Sequence, residues 1–342
     1  MKARFLSCVC IAFALIGCQT SPPSGIKTHR GESFGSIEVF DPKLNTLIAP
    51  GTCIEKLASG FEFSEGPVWI KRSGHLLFSD VPADTVYRWS EKEGISIFLK
   101  PSGYSGKGSR GGEPGSNGLA ADSEGRLVLC EHGDRRIGRI EKNGKHATVA
   151  DRFKGKRFNS PNDLAFKSNG DLYFTDPPYG LEKSLDDPKK ELGFQGVYRV
   201  KPDGEVTLLT DQIRWPNGIA FSPDEKTLYV GNSDPQRSVW MAYDVKPDGT
   251  LGKGRVFFDA TTLVGDANKG VPDGMKVDAR GNVWATGPGG VLILSPDGKH
   301  LGTIRTGEET GNCAWGDDGK TLYIMASKYI GRVRTKVKGS GW

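Results

Sequence analysis

One phrase recurs six times along this chain of 342 residues, and it constrains the fold more than any other feature of the sequence. Each copy begins with a polar residue, continues through a short apolar run and a turn, and ends in a second apolar run. The lead residues of the copies are Glu65, Asn117, Asn162, Asn217, Asp273 and Asn312, and successive lead residues are 39 to 56 positions apart. Repeats of roughly 40 to 50 residues with several short strands each are typical of β-propeller blades.

The rest of each repeat also favours strands. Outer-strand candidates follow the phrase, for example at residues 85–89 and 196–200. The 47 glycines and 20 prolines are spread along the chain, as many short strands joined by tight turns require. The sequence therefore predicts an all-β fold, a six-bladed β-propeller, in one domain over residues 36–342. Residues 37–40 and 330–337 lie outside the copies, and we expect them to complete one blade together. A β-sandwich or a solenoid is the alternative architecture.

The N-terminal segment resembles a bacterial lipoprotein signal. Residues 1–4 are basic, residues 5–16 are apolar, and Leu-Ile-Gly-Cys ends the stretch at Cys18. We expect residues 1–17 to be a signal peptide, Cys18 to be lipidated, and residues 18–35 to form a flexible tether. This predicts an exported protein anchored to the bacterial cell envelope, at the outer membrane and facing the periplasm. An ordinary signal peptide with an incidental cysteine is the alternative.

The lead residues form a candidate metal site. The first strand of every propeller blade lines the central channel, so residues that begin equivalent strands converge around one axis. All six lead residues carry side-chain oxygen atoms. Carboxylate and amide oxygens suit calcium best, with zinc, magnesium and manganese as further options. Turns before strands would explain any single Asn-Gly or Asp-Gly pair, but six copies in register favour one divalent metal.

The phrases around the lead residues resemble those of a known family. They are Ser64-Glu65-Gly66-Pro67, Ser160-Pro161-Asn162-Asp163, Trp215-Pro216-Asn217-Gly218 and Val271-Pro272-Asp273-Gly274. In this order they are similar to the family of senescence marker protein (regucalcin), gluconolactonases and the related diisopropyl fluorophosphatase. The resemblance extends from Phe63 to Leu294. It implies a six-bladed propeller hydrolase that holds one divalent metal at the mouth of its channel.

The resemblance also implies roles for individual lead residues. It assigns Glu65, Asn217 and Asp273 to the metal, and Asn162 to the metal or the substrate. Asn117 corresponds to a position that faces the channel, where it contacts the substrate or supports the ligands.

Three residues outside the lead positions are further candidates for substrate binding. The phrase at residues 175–180, Thr-Asp-Pro-Pro-Tyr-Gly, is similar to the gluconolactonase-like branch and makes Asp176 and Tyr179 candidates. A proline-stiffened turn is the alternative. His132 follows a strand pair and either contacts the substrate or lies in an exposed turn.

The activity that the resemblance implies is hydrolysis of a carboxylic ester bond in a sugar lactone. A metal with open positions polarises the carbonyl and lowers the pKa of a water, and Asp273 is the expected base. Direct attack by this aspartate is the alternative route. The sugar-lactonase branch often has an arginine two residues before the Asn162 position, where this chain has Ser160. An esterase or phosphotriesterase of the same fold, and a non-catalytic binding propeller, are therefore the competing functions.

The charge of the chain limits its partners. The formal net charge is +5, and no basic run is interleaved with aromatic residues, so nothing indicates nucleic-acid binding. We expect a small-molecule lactone or ester as the substrate, contact with a membrane only through the lipid anchor, and a monomer.

Overall fold

The computed structural model describes residues 25–108 and 110–342, so the predicted signal peptide and Cys18 lie outside the described residues. The described chain consists mainly of strands, which confirms the all-β prediction. Short 3₁₀ helices lie at Pro42–Thr46, Ser184–Asp186 and Thr261–Leu263. Within these two ranges, none of the helices is long and apolar enough to cross a membrane.

In chain order the strands are β1 (Lys27–Thr28), β2 (Ser33–Phe34), β3 (Ser36–Val39), β4 (Ile54–Ile70), β5 (His75–Asp80), β6 (Thr85–Ser90), β7 (Gly94–Leu99), β8 (Ser116–Ala121), β9 (Leu127–Glu131), β10 (Arg136–Ile140), β11 (His146–Ala150), β12 (Arg152–Phe153), β13 (Lys156–Arg157), β14 (Leu164–Phe166), β15 (Leu172–Asp176), β16 (Gly196–Val200), β17 (Val206–Thr210), β18 (Pro216–Phe221), β19 (Thr227–Asp234), β20 (Arg237–Asp244), β21 (Arg255–Asp259), β22 (Met275–Val277), β23 (Val283–Gly287), β24 (Gly290–Leu294), β25 (His300–Arg305), β26 (Asn312–Gly316) and β27 (Thr321–Arg334).

The order of strands in the sheets follows the chain. Three sheets have four antiparallel strands each, β8 to β11, β14 to β17 and β18 to β21, and a fourth has β22 to β25 with β3 at its outer edge. The largest sheet has the order β26, β27, β4, β5, β6, β7, with β1 and β2 beside β4. Strands β12 and β13 form a separate pair. Four-stranded sheets of this order are arranged as the blades of a β-propeller.

The N-terminal segment adds strands to two sheets. β3 pairs with β25, whereas the second half of β27 pairs with the first half of β4. The prediction that residues 37–40 and 330–337 complete one blade together is therefore wrong, because residues 54–59 lie beside β27 instead. β1 and β2, inside the predicted tether, pair with β4. The domain boundary at residue 35 stays a prediction.

Hydrophobic clusters fill the spaces between neighbouring sheets. One joins β9 and β10 to β14, β15 and β16, and the next joins β15 and β16 to β18, β19 and β20. Another joins β27 to β4, β5 and β6, and a further one joins β5 and β6 to β8 and β9. Strands β9, β15 and β23 are buried along their whole length because sheets cover both of their faces.

The first strands of the repeats form a closed ring. β4 contacts β8, β8 contacts β14, and the contacts continue through β18, β22 and β26 back to β4. Five lead residues lie within two positions of the start of the first strand of their repeat. The sixth, Glu65, lies inside β4, next to Ser64, where this long strand begins to pair with β5. The six lead residues therefore lie at one end of the ring, which we call the axial end.

Candidate metal and active site

Glycine after the lead residue lets neighbouring first strands approach each other at the axial end. A Cβ at Gly66 would lie 1.8 Å from the carbonyl oxygen of Asn117, and a Cβ at Gly218 would lie 2.1 Å from that of Asp273. No side chain fits at either position, so glycine here is a packing requirement as well as a turn signal. The close approach holds neighbouring lead residues side by side.

One repeat places a carboxylate where four others have glycine. Asp163 follows Asn162, is 2% exposed, and its Oδ2 lies 3.5 Å from Asn312 Nδ2. The same amide nitrogen donates to Glu65 Oε2 at 3.1 Å, so Asn312 links two carboxylates. Sequence reasoning missed Asp163 as a site residue, although the change from Asn-Gly to Asn-Asp was an available signal.

Glu65, Asp163 and Asp273, which we call the axial carboxylates, lie close enough for their charges to interact, and Glu65 and Asp163 are buried. Burial, and then the charge of Asp163, raises the pKa of Glu65 to about 7. Burial, and then the charge of Glu65, raises the pKa of Asp273 well above its ordinary value. Without a bound metal ion, both groups therefore hold a proton more tightly than an exposed carboxyl group does.

Lys276 supplies positive charge on the strand that follows Asp273. Its Nζ donates to Met275 O at 3.0 Å and lies 3.4 Å from Asn312 Oδ1. Its charge lowers the pKa of Glu65, but less than burial and Asp163 raise it. The ammonium group therefore offsets only part of the charge of the axial carboxylates. Sequence reasoning missed Lys276 as well, because it lies three positions beyond a lead residue.

The donors at the axial end fit a hard divalent cation. In the described ranges no group of three or more Asp, Glu, His or Cys side chains could hold a metal by itself, so a cation here would also use amide oxygens. Asn217 donates its amide nitrogen to Ser233 Oγ at 3.0 Å, which leaves its amide oxygen available. Asn117 and Asn162 are buried, at 5% and 2% exposure. Partly uncompensated carboxylates beside available amide oxygens are the donors that calcium prefers.

Asp176 holds the backbone that leads into Asn162. Its two carboxylate oxygens accept the backbone N–H groups of Asn159 and Ser160, both at 2.8 Å. Asp80, at the same place in the first repeat, accepts the N–H groups of residues 62 and 63 in the same way. The structure therefore does not support the prediction that Asp176 contacts substrate, because both of its oxygens are engaged by this recurring clamp.

Tyr179 lies beside the axial end. Its ring stacks on Trp215 with centroids 5.4 Å apart, and it lines the same cavity as Ser233, the residue that accepts the hydrogen bond of the Asn217 amide. These side chains and Arg214 line a cavity of about 410 Å³. A cavity of this volume can accept a small ligand, so the placement of Tyr179 agrees with substrate binding.

His132 directly follows β9 and has no exposed surface. Its Nδ1 lies 3.3 Å from a carboxylate oxygen of Glu113. The alternative of a histidine in an exposed turn is therefore wrong, because the chain around it covers the ring. Sequence reasoning missed Glu113, which lies in a polar loop without a recognisable motif.

Known proteins are similar to this chain in sequence and in fold. The family described as the SMP-30/Gluconolactonase/LRE-like region matches residues 63–328. A gluconolactonase of Zymomonas mobilis is 42% identical over 322 residues, which cover 90% of this chain and 88% of that protein. A solved gluconolactonase of Xanthomonas campestris is 30% identical with a TM-score of 0.75, over 93% of this chain and 100% of that chain. A calcium-binding protein, regucalcin, of Agrobacterium tumefaciens shares the fold with a TM-score of 0.64 at 21% identity, over 82% of this chain and 92% of that chain. This chain therefore belongs to the SMP-30, gluconolactonase and LRE-like family.

Proposed function

We propose that the protein hydrolyses a sugar lactone with the help of a divalent metal, at the channel mouth of a six-bladed propeller. The observation that carries the proposal is the meeting of Glu65, Asn217 and Asp273, from three distant phrases, at one oxygen-rich axial end. The gluconolactonase of Zymomonas mobilis supports the proposed reaction, because its sequence is 42% identical over 90% of the length of this chain.

The closed ring of first strands supports the count of six blades. β4 is 17 residues long, and its first half pairs with β27 while its second half pairs with β5. We interpret the largest sheet as two blades joined through this strand. With the four other sheets that begin at β8, β14, β18 and β22, this makes six blades.

Glu65, Asn217 and Asp273 would hold the metal, with Asn162 as a fourth ligand or a substrate contact. Calcium matches these oxygen donors best, and zinc, magnesium and manganese are the alternatives. The regucalcin of Agrobacterium tumefaciens, described as calcium-binding, supports this choice. A bound ion of this kind supplies a Lewis acid that polarises the lactone carbonyl and stabilises negative charge on its oxygen.

The side chains of the protein handle the proton and orient the substrate. Asp273 takes a proton from the attacking water as the new C–O bond forms, because burial and the charge of Glu65 strengthen the affinity of its carboxylate for a proton. The proton then passes to the ring oxygen as the ring C–O bond breaks, which yields the hydroxy acid. Asn117 and Asn162 offer amide groups to the substrate, and Tyr179 offers the face of its ring.

The test is lactone hydrolysis by the purified protein before and after treatment with a chelator. Calcium, zinc, magnesium and manganese are then added back one at a time. We expect activity to disappear with the chelator and to return with one of these ions. Absence of lactone hydrolysis with every ion would overturn the proposal.

Ser160 favours a second candidate function, that of an esterase or phosphotriesterase. Its Oγ donates to Pro177 O at 2.6 Å and accepts from Gly180 N at 2.9 Å. This position therefore fixes a turn and supplies no arginine of the kind found in the sugar-lactonase branch. A panel of sugar lactones, aryl esters and phosphotriesters separates the candidates by kcat/KM. Saturable binding of a lactone without product would instead indicate a non-catalytic binding protein.

We also propose that the protein is exported as a monomer and anchored by a lipid on Cys18 to the outer membrane, facing the periplasm. The basic residues, the apolar run and Leu-Ile-Gly-Cys at the N-terminus support this proposal. Mass spectrometry of the mature N-terminus and membrane fractionation of Cys18→Ser test it. Retention of residues 1–17, or an unchanged membrane fraction for the variant, contradicts it.

A further inference from the structure

His132 is a buried polar side chain that the proposed chemistry does not use. Neither of its ring nitrogens has a hydrogen-bond partner among the described residues. A buried polar atom without a partner destabilises a fold, so such an atom beside a candidate site calls for an explanation. The carboxylate of Glu113, 3.3 Å from Nδ1, is close enough to pair with the ring after a small movement.

Two segments enclose His132. A Cβ at Gly180 would lie 2.5 Å from the His132 Cβ, so the turn at residues 177–180 packs directly against it. On the other side, the backbone N–H of His132 donates to Gly115 O at 3.2 Å. The histidine therefore lies between the turn that carries Tyr179 and the segment that carries Glu113.

Glu113 lies near the candidate site. Its side chain is 35% exposed, so it can meet a ligand. Burial is the main cause of the raised pKa of Tyr179, and the charges of Asp273 and Glu113 both add to it. The charge of Glu113 also raises the pKa of Glu309, after burial. The charges of Glu113 and Asp273 therefore both reach Tyr179.

We propose that Glu113 binds hydroxyl groups of the substrate and that His132 is the positioning residue that holds its carboxylate. An N–H on Nδ1 donates to one carboxylate oxygen and fixes the direction of the other, which then accepts hydrogen bonds from the ligand. The ligand group that this carboxylate would take is therefore a hydroxyl of the lactone. This inference rests on the proposed lactonase function and names a residue that sets its specificity.

The test compares glucono-δ-lactone with δ-valerolactone, which has the same ring size and no hydroxyl groups. In Glu113→Gln we expect the KM for glucono-δ-lactone to rise about tenfold while the KM for δ-valerolactone stays unchanged, because a charged acceptor has been replaced by a neutral one. His132→Leu should cause the same selective rise. His132→Asn should retain most of the affinity, because its amide nitrogen takes the place of Nδ1.

Glu308→Gln is the matched control, since Glu308 is 38% exposed and pairs with Lys269 at 3.0 Å instead of a histidine. Thermal melts establish that each variant folds. Equal changes of KM for both lactones, or no change for either, would overturn the inference. In that case, hydrolysis by the wild type would still support the proposed function. If the wild type hydrolyses neither lactone, the proposed function fails, and calorimetric binding of glucono-δ-lactam to the same variants then decides the inference. A selective loss of about tenfold in Glu113→Gln supports it, and unchanged binding overturns it.

Discussion

The two ends of the first strands treat carboxyl groups in opposite ways. At the axial end, burial and mutual repulsion raise the pKa values of Glu65 and Asp273. At the turns of the other end, local hydrogen bonds lower them: a serine hydroxyl does so at Asp224 and Asp297, and the guanidinium of Arg334 does so at Asp318. The same residue types thus serve folding at one end and carry poorly balanced charge at the other.

The difference shows which end is built for a ligand. Each turn carboxylate is satisfied within a few residues of its own position or by one neighbouring cation, so it stabilises the fold without help. The axial carboxylates have Lys276 and amide groups near them, which offset only part of their charge. A site where carboxylates lack the local hydrogen bonds and cations that would stabilise them is expected to be functional.

Asp273→Asn should have the largest effect of the substitutions that test this difference between the two ends. We expect lactone hydrolysis to fall about 10³-fold, because the proposed base is lost. The free energy of unfolding of the chelated protein should stay the same or rise, because a buried carboxyl that repels Glu65 is gone. Measurements of kcat/KM and urea denaturation test both effects.

The control for Asp273→Asn is Asp297→Asn at the opposite end. It should keep full activity and lose some stability, since its carboxylate accepts from Ser295 Oγ at 2.5 Å. Hydrolysis at the wild-type rate by Asp273→Asn would mean that this carboxyl group is not the base.

Gly218→Ala would test the close approach of strands at the axial end. The added Cβ would lie 2.1 Å from Asp273 O, so we expect a loss of about 3 kcal/mol in the free energy of unfolding. Gly193→Ala is the control, because no atom lies within 4 Å of the added Cβ and its backbone is not left-handed. Urea denaturation of both variants measures the difference. Equal losses would show that packing at the axial end does not set the requirement.

The dependence of stability on pH should have opposite signs at the two ends. The pKa of Glu65 rises from 4.5 to about 7 on folding, so the folded protein binds this proton more tightly and loses stability as the pH rises from 4.5 to 7. We expect this loss to be about 3 kcal/mol in the chelated protein. The pKa of Asp318 falls from 3.8 to about 2, so its contribution is present above pH 3.8 and is lost as the pH falls to 2.

Urea denaturation of the chelated protein between pH 5 and pH 8 measures the effect at the axial end. Glu65→Gln should flatten the decline, and an added cation that binds the carboxylates should flatten it in the wild type. A stability that rises over this range would contradict the pKa direction at Glu65.

The repeat in the sequence predicted the all-β class and the meeting of the first strands. The six phrases correspond to six copies of one structural unit. Equivalent positions in such copies must face the same axis. This reasoning brought the six lead residues together as candidates, and the resemblance to the known family then assigned Glu65, Asn217 and Asp273 to the metal. It could not find Lys276, since the residue that faces the axis beyond a lead position depends on the twist of the strand.

Contacts between segments were also beyond the sequence. Asp176 belongs to a motif that looks functional, but its role depends on which backbone N–H groups its strand end meets. His132 has a turn-like sequence, and its burial depends on residues 113–115 and 177–180, which fold over it from other loops. The spacing of residues along the chain does not show which loops will cover a side chain in the folded protein.

Asp163→Asn should have the smallest effect of these substitutions, but it still tests whether carboxylates at the axial end differ from those at the turns. It removes one charge but keeps the oxygen that accepts the N–H of Leu164 at 2.9 Å. Because the charge of Asp163 raises the pKa values of both Glu65 and Asp273, its loss should lower them and weaken cation binding about tenfold. Competition with a chelating dye measures the affinity, and Asp224→Asn at a turn is the control. If Asp163→Asn regains full activity at saturating metal, Asp163 acts through its charge alone, whereas activity that stays low would make it part of the reaction.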